Sequence, residues 1–321
     1  MNSLYFLHFL TLIQKNKQMP LIYSLSSILY NNSYQMKAII IAFICQMMAS
    51  ITFSQSVNSS LKEPNGIKLL NGQTIVIEST STIEASLAMG MELKSSTSSI
   101  NQLDVKNSTD KNYSISNTMT KLKLNMNMMG QSNNYDSDYK ESNSGEMTKI
   151  FDDKLNKPVD IIIDRATGMP ISDNRMAKKK DADETNPAAD LMKIFSNNSD
   201  DAIVSGAFEL IPRDKKIGDS WADTVASKDL KVIRNFILKS IIGNEAVIEL
   251  NIASTSVNKL DFQETEFEIK SETKTTSEIV TDVSTGLTKK RTSKSNITGS
   301  IQMMGQDMLI SATTSSTSMY K

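Results

Sequence analysis

Histidine and cysteine are almost absent from this sequence. Its 321 residues include one histidine, His8, and one cysteine, Cys45. Both precede the point at which we expect the mature chain to begin, so the mature protein would lack an imidazole base, a thiolate nucleophile and the usual zinc ligands. We therefore predict that the protein is not an enzyme, that it has no cofactor and no metal, and that no residue is catalytic.

Aromatic residues and net charge are also scarce. Aromatics make up 6% of the chain, and the formal net charge is −1. Because a nearly neutral chain exerts no long-range attraction on polyanions, we predict no nucleic-acid partner. The many serine, threonine and asparagine residues are typical of exposed strands and turns.

The N-terminal region has the features of a secretory signal peptide. Met36-Lys37 precedes an apolar run, and a stretch of small and apolar residues then ends at Ser54. We predict a signal peptide at residues 36–54, with cleavage near Ser54. Residues 1–35 are interpreted as a gene-start artefact, with a long n-region or a membrane anchor as the alternative. Lipidation of Cys45 is a weaker hypothesis, because the three residues before it are not a small-residue box.

A cleaved signal peptide implies export, so we expect the mature protein in the periplasm, associated with the outer membrane, or secreted. The apolar runs before residue 36 are shorter than the roughly 18 residues that cross a bilayer. We therefore predict no transmembrane span in the mature chain. Without cysteine, the stability of an exported chain must come from its core.

The mature sequence is dominated by strand patterns separated by short turns. We predict a mainly β fold, in which antiparallel meanders form two curved sheets or a sandwich or half-barrel, with one short central helical region. Gly243-Asn244 is a hairpin signal between two such strands. The predicted segments are a tether at 55–66, a first β-rich half at 67–183, a helical connector at 184–209 and a second β-rich half at 210–321.

The clearest alternation runs from Lys121 to Met128, where apolar residues alternate with lysine and asparagine. This pattern predicts a strand with one buried and one wet face. The face could be filled core, or it could line a cavity for a lipid or another apolar small molecule. A copper(I) site is a weaker hypothesis, because no histidine or cysteine would complete it. The candidate ligand face consists of Leu122, Leu124, Met126 and Met128.

Two short patterns occur in both halves. Met128-Met129-Gly130-Gln131 recurs at 303–306, and Thr167-Gly168 recurs as Thr285-Gly286 after a strand that contains an aspartate. The order of the two patterns differs between the halves, so they favour a related pair of sheets over a clean duplication. In the first half, Asp164 is expected to cap the turn.

The only tryptophan, Trp221, ends a stretch rich in turn signals. Pro212 interrupts regular structure, and Gly218-Asp219 permits a tight turn. We expect Ile217 to anchor to a core and Trp221 to be buried or half-buried. With no base to activate Ser220, we interpret the stretch as a structural clasp. The clasp residues are Pro212, Gly218, Asp219 and Trp221.

The pattern Pro212-x-x-x-x-Ile217-Gly218-Asp219-Ser220-Trp221, followed by strands and a Thr285-Gly286-Leu287 turn, resembles an uncharacterised family of exported bacterial envelope proteins, a domain of unknown function. The resemblance covers roughly residues 65 to 320. It implies export and a β-rich fold, but it implies no activity and supplies no catalytic residues.

These observations favour a non-enzymatic, exported binding module for a lipid or another apolar ligand. This hypothesis rests on analogy at the level of the fold. The alternative is a structural or protein-interaction component of the cell envelope, whose partner is another envelope protein. The two hypotheses differ in whether the apolar sheet faces line a ligand cavity or a filled core.

Overall fold

The computed structural model describes residues 66–87, 91–128, 130–139, 141, 143, 147–171, 200–262, 265–303 and 306–321. All of them lie in one compact unit, Cys45–Lys321. The predicted gene-start segment and signal peptide, the tether up to residue 65, and residues 184–199 of the helical connector lie outside the described residues.

Eleven strands and two short helices make up the regular structure of the described residues. Their β-branched and alternating patterns favour pleated strands with one buried face. The strands are β1 (Thr74–Leu87), β2 (Met91–Ser108), β3 (Asn112–Met128), β4 (Gln131–Asp136), β5 (Pro158–Asp164), β6 (Ser220–Ala226), β7 (Leu230–Ile242), β8 (Glu245–Phe262), β9 (Thr265–Asp282), β10 (Thr288–Met303) and β11 (Gln306–Tyr320); the helices are α1 (Met147–Lys154) and α2 (residues 200–206).

The described strands form one antiparallel sheet in the order β4-β3-β2-β1-β11-β10-β9-β8-β7-β6, and β5 pairs with the first part of β3. The last strand pairs with the first, from Ile77 opposite Tyr320 to Ser86 opposite Ser311. The prediction of a mainly β, antiparallel fold is confirmed. The two-sheet arrangement is not, because the β1–β11 pairing joins the strands of both halves in a single ladder.

Side chains alternate between two faces of this sheet. We call the inner face the one that carries Ile75, Ile77, Ile83 and Ala85 of β1, all of which are buried. The residues between them, such as Glu78 and Glu84, are exposed on the outer face. The buried face of β1 is thus set by a strict two-residue period.

One cluster, the basal core, fills the inner face near the start of β1. Its polar member Tyr113 is fully satisfied, because its hydroxyl donates to the Ile67 carbonyl and accepts the Leu69 N–H, both at 3.2 Å. The chain segments 66–70 and 204–208 therefore pack onto the sheet. The basal core contains Ile67, Leu69, Ile75, Ile77, Leu103, Val105, Tyr113, Ile115, Ile161, Ile163, Val204, Ala207, Phe208 and Tyr320.

Two turns of the same construction border this core. After β5, Asp164 Oδ1 accepts hydrogen bonds from the backbone N–H and the hydroxyl of Thr167, at 2.9 and 2.8 Å. After β9, Asp282 Oδ1 accepts the backbone N–H groups of Ser284 and Thr285, at 2.9 and 3.0 Å. The capping role predicted for Asp164 is confirmed, and the Thr-Gly pattern marks two equivalent turns.

The glycines of these turns permit close contact with segment 207–210. Gly168 and Gly286 have φ angles of 75° and 74°, in the left-handed region that favours glycine. A Cβ on Gly168 would lie 2.8 Å from Cβ of Phe208, and one on Gly286 would lie 2.5 Å from Cδ2 of Leu210. The two turns therefore hold that segment from both sides.

Three local features have no clear signal in the sequence. Strand β4 forms within the polar region 132–145 because Tyr135 pairs with Leu124 and is buried. Helix α1 follows it. Strand β9 is one continuous strand in spite of its many polar residues, since these stay paired with β8 throughout.

Candidate binding site

The stretch from Pro212 to Asp219 folds into consecutive turns before β6. Pro212 is buried, and its carbonyl accepts the N–H of Lys215 at 3.1 Å. Asp219 orders the next turn, because its Oδ2 accepts the N–H of Lys216 and its own N–H donates to the Lys216 carbonyl, each at 2.9 Å. These contacts shape the backbone and leave the carboxylate of Asp219 engaged with its own turn.

This turn is hydrogen-bonded to β7, and Trp221 of β6 packs against the same strand. Gly218 has a φ of 92°, and its N–H donates to the Leu238 carbonyl at 2.8 Å. Trp221 is 9% exposed and lies face to face with Phe236, with ring centroids 5.2 Å apart and planes 1° apart. Leu238, Ala246, Ile248, Leu250 and Ile279 complete this tryptophan cluster.

Ile217, in contrast, is 60% exposed, so the expectation that it anchors to a core is wrong. The reason is that the Gly218 turn directs the neighbouring Trp221, rather than Ile217, toward β7. Ser220 is also exposed and begins β6, opposite Ile237. Trp221 is therefore the residue through which the clasp packs into the apolar tryptophan cluster.

The predicted ligand face on β3 is partly filled by the chain itself. Leu122 and Leu124 are 6% and 9% exposed and pack with Tyr135, whose ring lies 5.1 Å from that of Phe151 in α1. These two leucines are therefore core residues covered by β4 and α1. Met126 is buried outside this cluster, and the Met128 side chain is outside the described residues.

Another set of apolar side chains crosses six adjacent strands at the opposite end of the inner face from the basal core. The strand register aligns them: Ala85 is opposite Leu93 in β2 and Ala312 in β11, and Ile301 is opposite Ile269 in β9. None is more than 6% exposed. This upper apolar strip consists of Met126, Leu93, Ile83, Ala85, Ala312, Ile310, Ile297, Ile301 and Ile269.

The strip is large and distinct from the cores described above. Its members belong to neither the basal core, nor the tryptophan cluster, nor the cluster under α1. Five strand spacings separate β3 from β9, which corresponds to about 24 Å. Ala85 and Ala312 are its smallest side chains and lie in the middle, so the surface is lowest at its centre.

The outer face carries a shallow polar groove near the same end of the sheet. One part has a volume of about 830 Å³, and its floor includes Ser86, Thr298 and Gly299. A second part of about 450 Å³ shares Ser86 and Thr298 with the first. Lys270 and Glu272 lie at the rim. Small residues such as Ser86 and Gly299 leave this depression between the larger side chains at its rim.

Two partly buried ion pairs join neighbouring parts of the fold: one links β6 to β7, and the other links segment 207–212 to β10. The guanidinium of Arg234 binds both carboxylate oxygens of Asp223, at 2.6 and 2.7 Å. Arg291 donates to Glu209 Oε2 at 3.0 Å. Burial raises the pKa of Glu209, and the charges of Arg291 and Arg234 act in the opposite direction. Arg234 and Asp223 satisfy each other, whereas Nε of Arg291 is buried without a hydrogen-bond partner.

The described part of the chain holds no group of three or more histidine, cysteine, aspartate or glutamate residues arranged to bind a metal ion. No helix among the described residues combines the length and the apolar character needed to cross a membrane.

Comparisons with known proteins identify a family but no activity. The profile of a group described as "Family of unknown function (DUF6263)" matches residues 110–288, which include the Pro212–Trp221 stretch. No curated protein matches the sequence.

Among solved structures, the chain is similar to one titled "Lipid-protein interactions in lipovitellin", at 8% identity and a TM-score of 0.43, with 78% of this chain and 25% of that chain covered. This chain thus spans a quarter of that protein's length. It is also similar to OccK5 (OpdH) of Pseudomonas aeruginosa, at 7% identity and a TM-score of 0.22, covering 78% of this chain and 99% of that chain. These similarities are too low to support an argument about function.

Sequence reasoning locates Trp221 and Met126 but misses the strip as a whole. Ala85 and Ala312 meet only because the last strand pairs with the first. No local pattern indicates that pairing.

Proposed function

This chain belongs to the DUF6263 family, whose description assigns no activity, and from that premise we propose that it is an exported, non-enzymatic binding module for a lipid or another apolar ligand. The upper apolar strip is the observation that supports this proposal. Its nine side chains lie on the inner face of six adjacent strands, with Ser95 between Ile83 and Met126.

The chemistry of the strip fits a long apolar chain better than a compact ligand. An apolar sheet face is stable only when another apolar layer lies against it. The strip is about 24 Å long and one or two side chains wide, which matches an extended acyl or isoprenoid chain. Because its side chains are at most 6% exposed, the strip has to open before such a chain can lie on it. The two central alanines allow such a chain to approach the backbone. The ligand face predicted on β3 is thereby replaced by the strip, which retains Met126.

Export is part of the proposal and rests on the sequence pattern at residues 36–54. N-terminal sequencing of the protein purified from the periplasm should give a mature chain that begins close to residue 55. A mature chain that begins at Met1 would contradict export. The absence of histidine after His8 and of cysteine after Cys45 supports a non-enzymatic role.

Native mass spectrometry of the same periplasmic protein tests the ligand. We expect a co-purifying apolar molecule that is released by organic solvent. Ala312→Phe should reduce its occupancy, because the larger side chain fills the centre of the strip. Ser311→Phe is the matched control, since Ser311 is the adjacent residue on the outer face. Equal occupancy in both variants, or no bound molecule in any preparation, would disprove the proposal.

The second candidate function is a structural or protein-interaction component of the cell envelope, favoured by the outer groove. The groove combines hydroxyl groups, both signs of charge and Leu309, which is 79% exposed. A mixed surface of this kind is typical of protein contacts. Crosslinking in intact cells from a photoreactive residue at position 309 would test it, with position 317, on the same face of β11 but outside the groove, as the control.

A further inference from the structure

Strand β6 forms an edge of the sheet, and β7 is the one strand among the described residues that pairs with it. The strands at the opposite edge are covered by the chain itself. The Ile162 carbonyl of β5 accepts the N–H of Ile171 at 2.7 Å, and the Asp136 N–H of β4 donates to Asn143 Oδ1 at 2.6 Å. The two edges of the described sheet are therefore built differently.

The backbone of β6 alternates between bonding to β7 and pointing away from it. On either side of the strand, the Asp219 carbonyl accepts the Leu238 N–H at 3.0 Å, and the Ser227 N–H donates to the Leu230 carbonyl at 2.7 Å. The register between these two contacts is unbroken, so the odd-numbered residues bond to β7 and the even-numbered residues direct their N–H and C=O groups away from the sheet. The outward-bonding residues are Ser220, Ala222, Thr224 and Ala226.

Strand β6 lacks the features that usually keep an edge strand from pairing. Natural edge strands commonly carry lysine, proline, a bulge or an inward-pointing charge. This strand has no lysine, no proline and no bulge. Its one charged residue, Asp223, is bonded through both carboxylate oxygens to Arg234, at 2.6 and 2.7 Å. The side chains of the four outward-bonding residues are small and exposed, so a further strand can approach.

We propose that β6 pairs with β6 of a second copy of this chain, antiparallel and about a two-fold axis at Thr224. In this register Ala222 lies opposite Ala226 of the second copy, and each such pair exchanges two backbone hydrogen bonds. The strand is self-complementary, because the residues that meet are those whose N–H and C=O groups point outward. This proposal goes beyond the proposed function and does not depend on it.

Charge selects this register among those that pair the outward-bonding residues. An axis at Asp223 would place two carboxylates opposite each other in a closely spaced pair, which is destabilising. An axis at Ala222 would place Asp223 opposite Trp221 of the second copy. An axis at Thr224 places Asp223 opposite Val225 instead. Because β6 has seven residues, the contact is small, and we expect a weak, concentration-dependent dimer.

Disulfide trapping tests the register. Cys45 is the one cysteine of the sequence, so in a Cys45→Ser chain an introduced cysteine can pair only with another copy. Thr224→Cys should give a disulfide-linked dimer, because the two Cα atoms would be about 5.5 Å apart. Ala222→Cys is the matched control and should give little, since it lies opposite Ala226 rather than itself. An equal mixture of Ala222→Cys and Ala226→Cys chains should crosslink, as measured on non-reducing gels.

Sedimentation equilibrium tests the dimer without a crosslink. We expect a monomer–dimer equilibrium for the unchanged chain. Thr224→Lys should raise the dissociation constant about tenfold or more, because it places two ammonium groups opposite each other at the axis. Thr292→Lys is the control, since it makes the same change at an exposed threonine of the central strand β10. Circular dichroism shows that each variant is folded.

The contrary outcomes are specific. A chain that stays monomeric at every concentration, with equally little disulfide from Thr224→Cys and Ala222→Cys, would overturn the pairing of β6. A strong disulfide from Ala222→Cys alone would overturn the axis at Thr224. If a photoreactive residue at position 224 captures only a different protein in intact cells, the second copy is the wrong partner. None of these results bears on apolar-ligand binding, which native mass spectrometry tests separately.

Discussion

Trp221 connects the edge strand β6 to the sheet through its contact with Phe236. Removing its ring leaves a cavity beside a flat aromatic surface, so Trp221→Ala should lower the free energy of unfolding by about 3 to 5 kcal/mol. Urea denaturation followed by circular dichroism measures the change. Ile217→Ala in the same turn is the control, and it should change stability by less than about 0.5 kcal/mol because Ile217 is exposed. Equal effects of the two substitutions would show that Trp221 is not an anchor.

Glu209 makes stability depend on pH in an unusual direction for a carboxylate. Its pKa is raised above the ordinary value of 4.5, mainly by burial. The folded protein therefore binds this proton more tightly than the unfolded chain does. The resulting stabilisation is complete below pH 4.5 and is lost as the pH rises through the folded pKa.

The pH dependence is tested by comparing the unchanged protein with Glu209→Gln. Other carboxylates, such as Asp282, have lowered pKa values and give the opposite slope, so the difference between the two proteins is the relevant quantity. We expect the free energy of unfolding of the unchanged protein to fall relative to the variant as the pH rises above 4.5. A difference that rises with pH would mean that Arg291, rather than burial, dominates the titration of Glu209.

Single residues also show where sequence reasoning succeeds. The burial of Trp221 follows from its size. In β3, the alternation of buried and exposed side chains follows from the strict alternation of apolar and polar residues between Lys121 and Met128. The expectation that Ile217 is buried was wrong because an apolar residue inside a turn can face either the core or the solvent. Gly218-Asp219 predicts the turn, but which neighbouring side chain the turn directs toward β7 depends on the pairing of Gly218 with Leu238.

At the scale of elements, β9 and β10 pack closely together at Gly299. A Cβ on this residue would lie 2.2 Å from the Lys270 carbonyl oxygen, so one strand would have to move. Gly299→Ala should therefore lower the free energy of unfolding by about 1 to 3 kcal/mol. Ser300→Ala, the next residue in β10, should have a much smaller effect, and urea denaturation compares the two.

If Gly299→Ala is as stable as Ser300→Ala, the close approach of the two strands is not required for folding. Hydrogen exchange should place the effect of Gly299→Ala in β9 and β10, next to the outer groove. Protection lost evenly over the whole sheet would contradict a local distortion.

The repeated sequence patterns predict elements better than they predict their arrangement. The two Asp-x-x-Thr-Gly turns are equivalent in their hydrogen bonds, as a shared pattern suggests. Yet they do not mark two sheets, because they contact the same segment, through Phe208 and Leu210. Helix α1 was missed for a different reason: its residues, Met147–Lys154, acquire a buried side only once Phe151 meets Tyr135 of β4.

At the scale of the whole sheet, the pairing between β1 and β11 determines whether the two halves unfold together. Ten residue pairs cross it, from Ile77–Tyr320 to Ser86–Ser311. The basal core also combines residues from both sides, such as Ile75 and Tyr320. Two halves predicted from the sequence to be separate therefore share one ladder and one core, and neither can lose its structure without exposing the other.

We therefore expect a single unfolding transition. Trp221 fluorescence reports on unfolding at one edge of the sheet, and hydrogen exchange in β3 reports on unfolding near the other edge. The urea concentrations at the midpoints of the two transitions should coincide. Ser316→Pro should separate the two midpoints, because proline removes a ladder hydrogen bond in a central strand. Two midpoints in the unchanged protein would contradict a cooperative sheet. One shared midpoint in Ser316→Pro would mean that the basal core alone couples the halves.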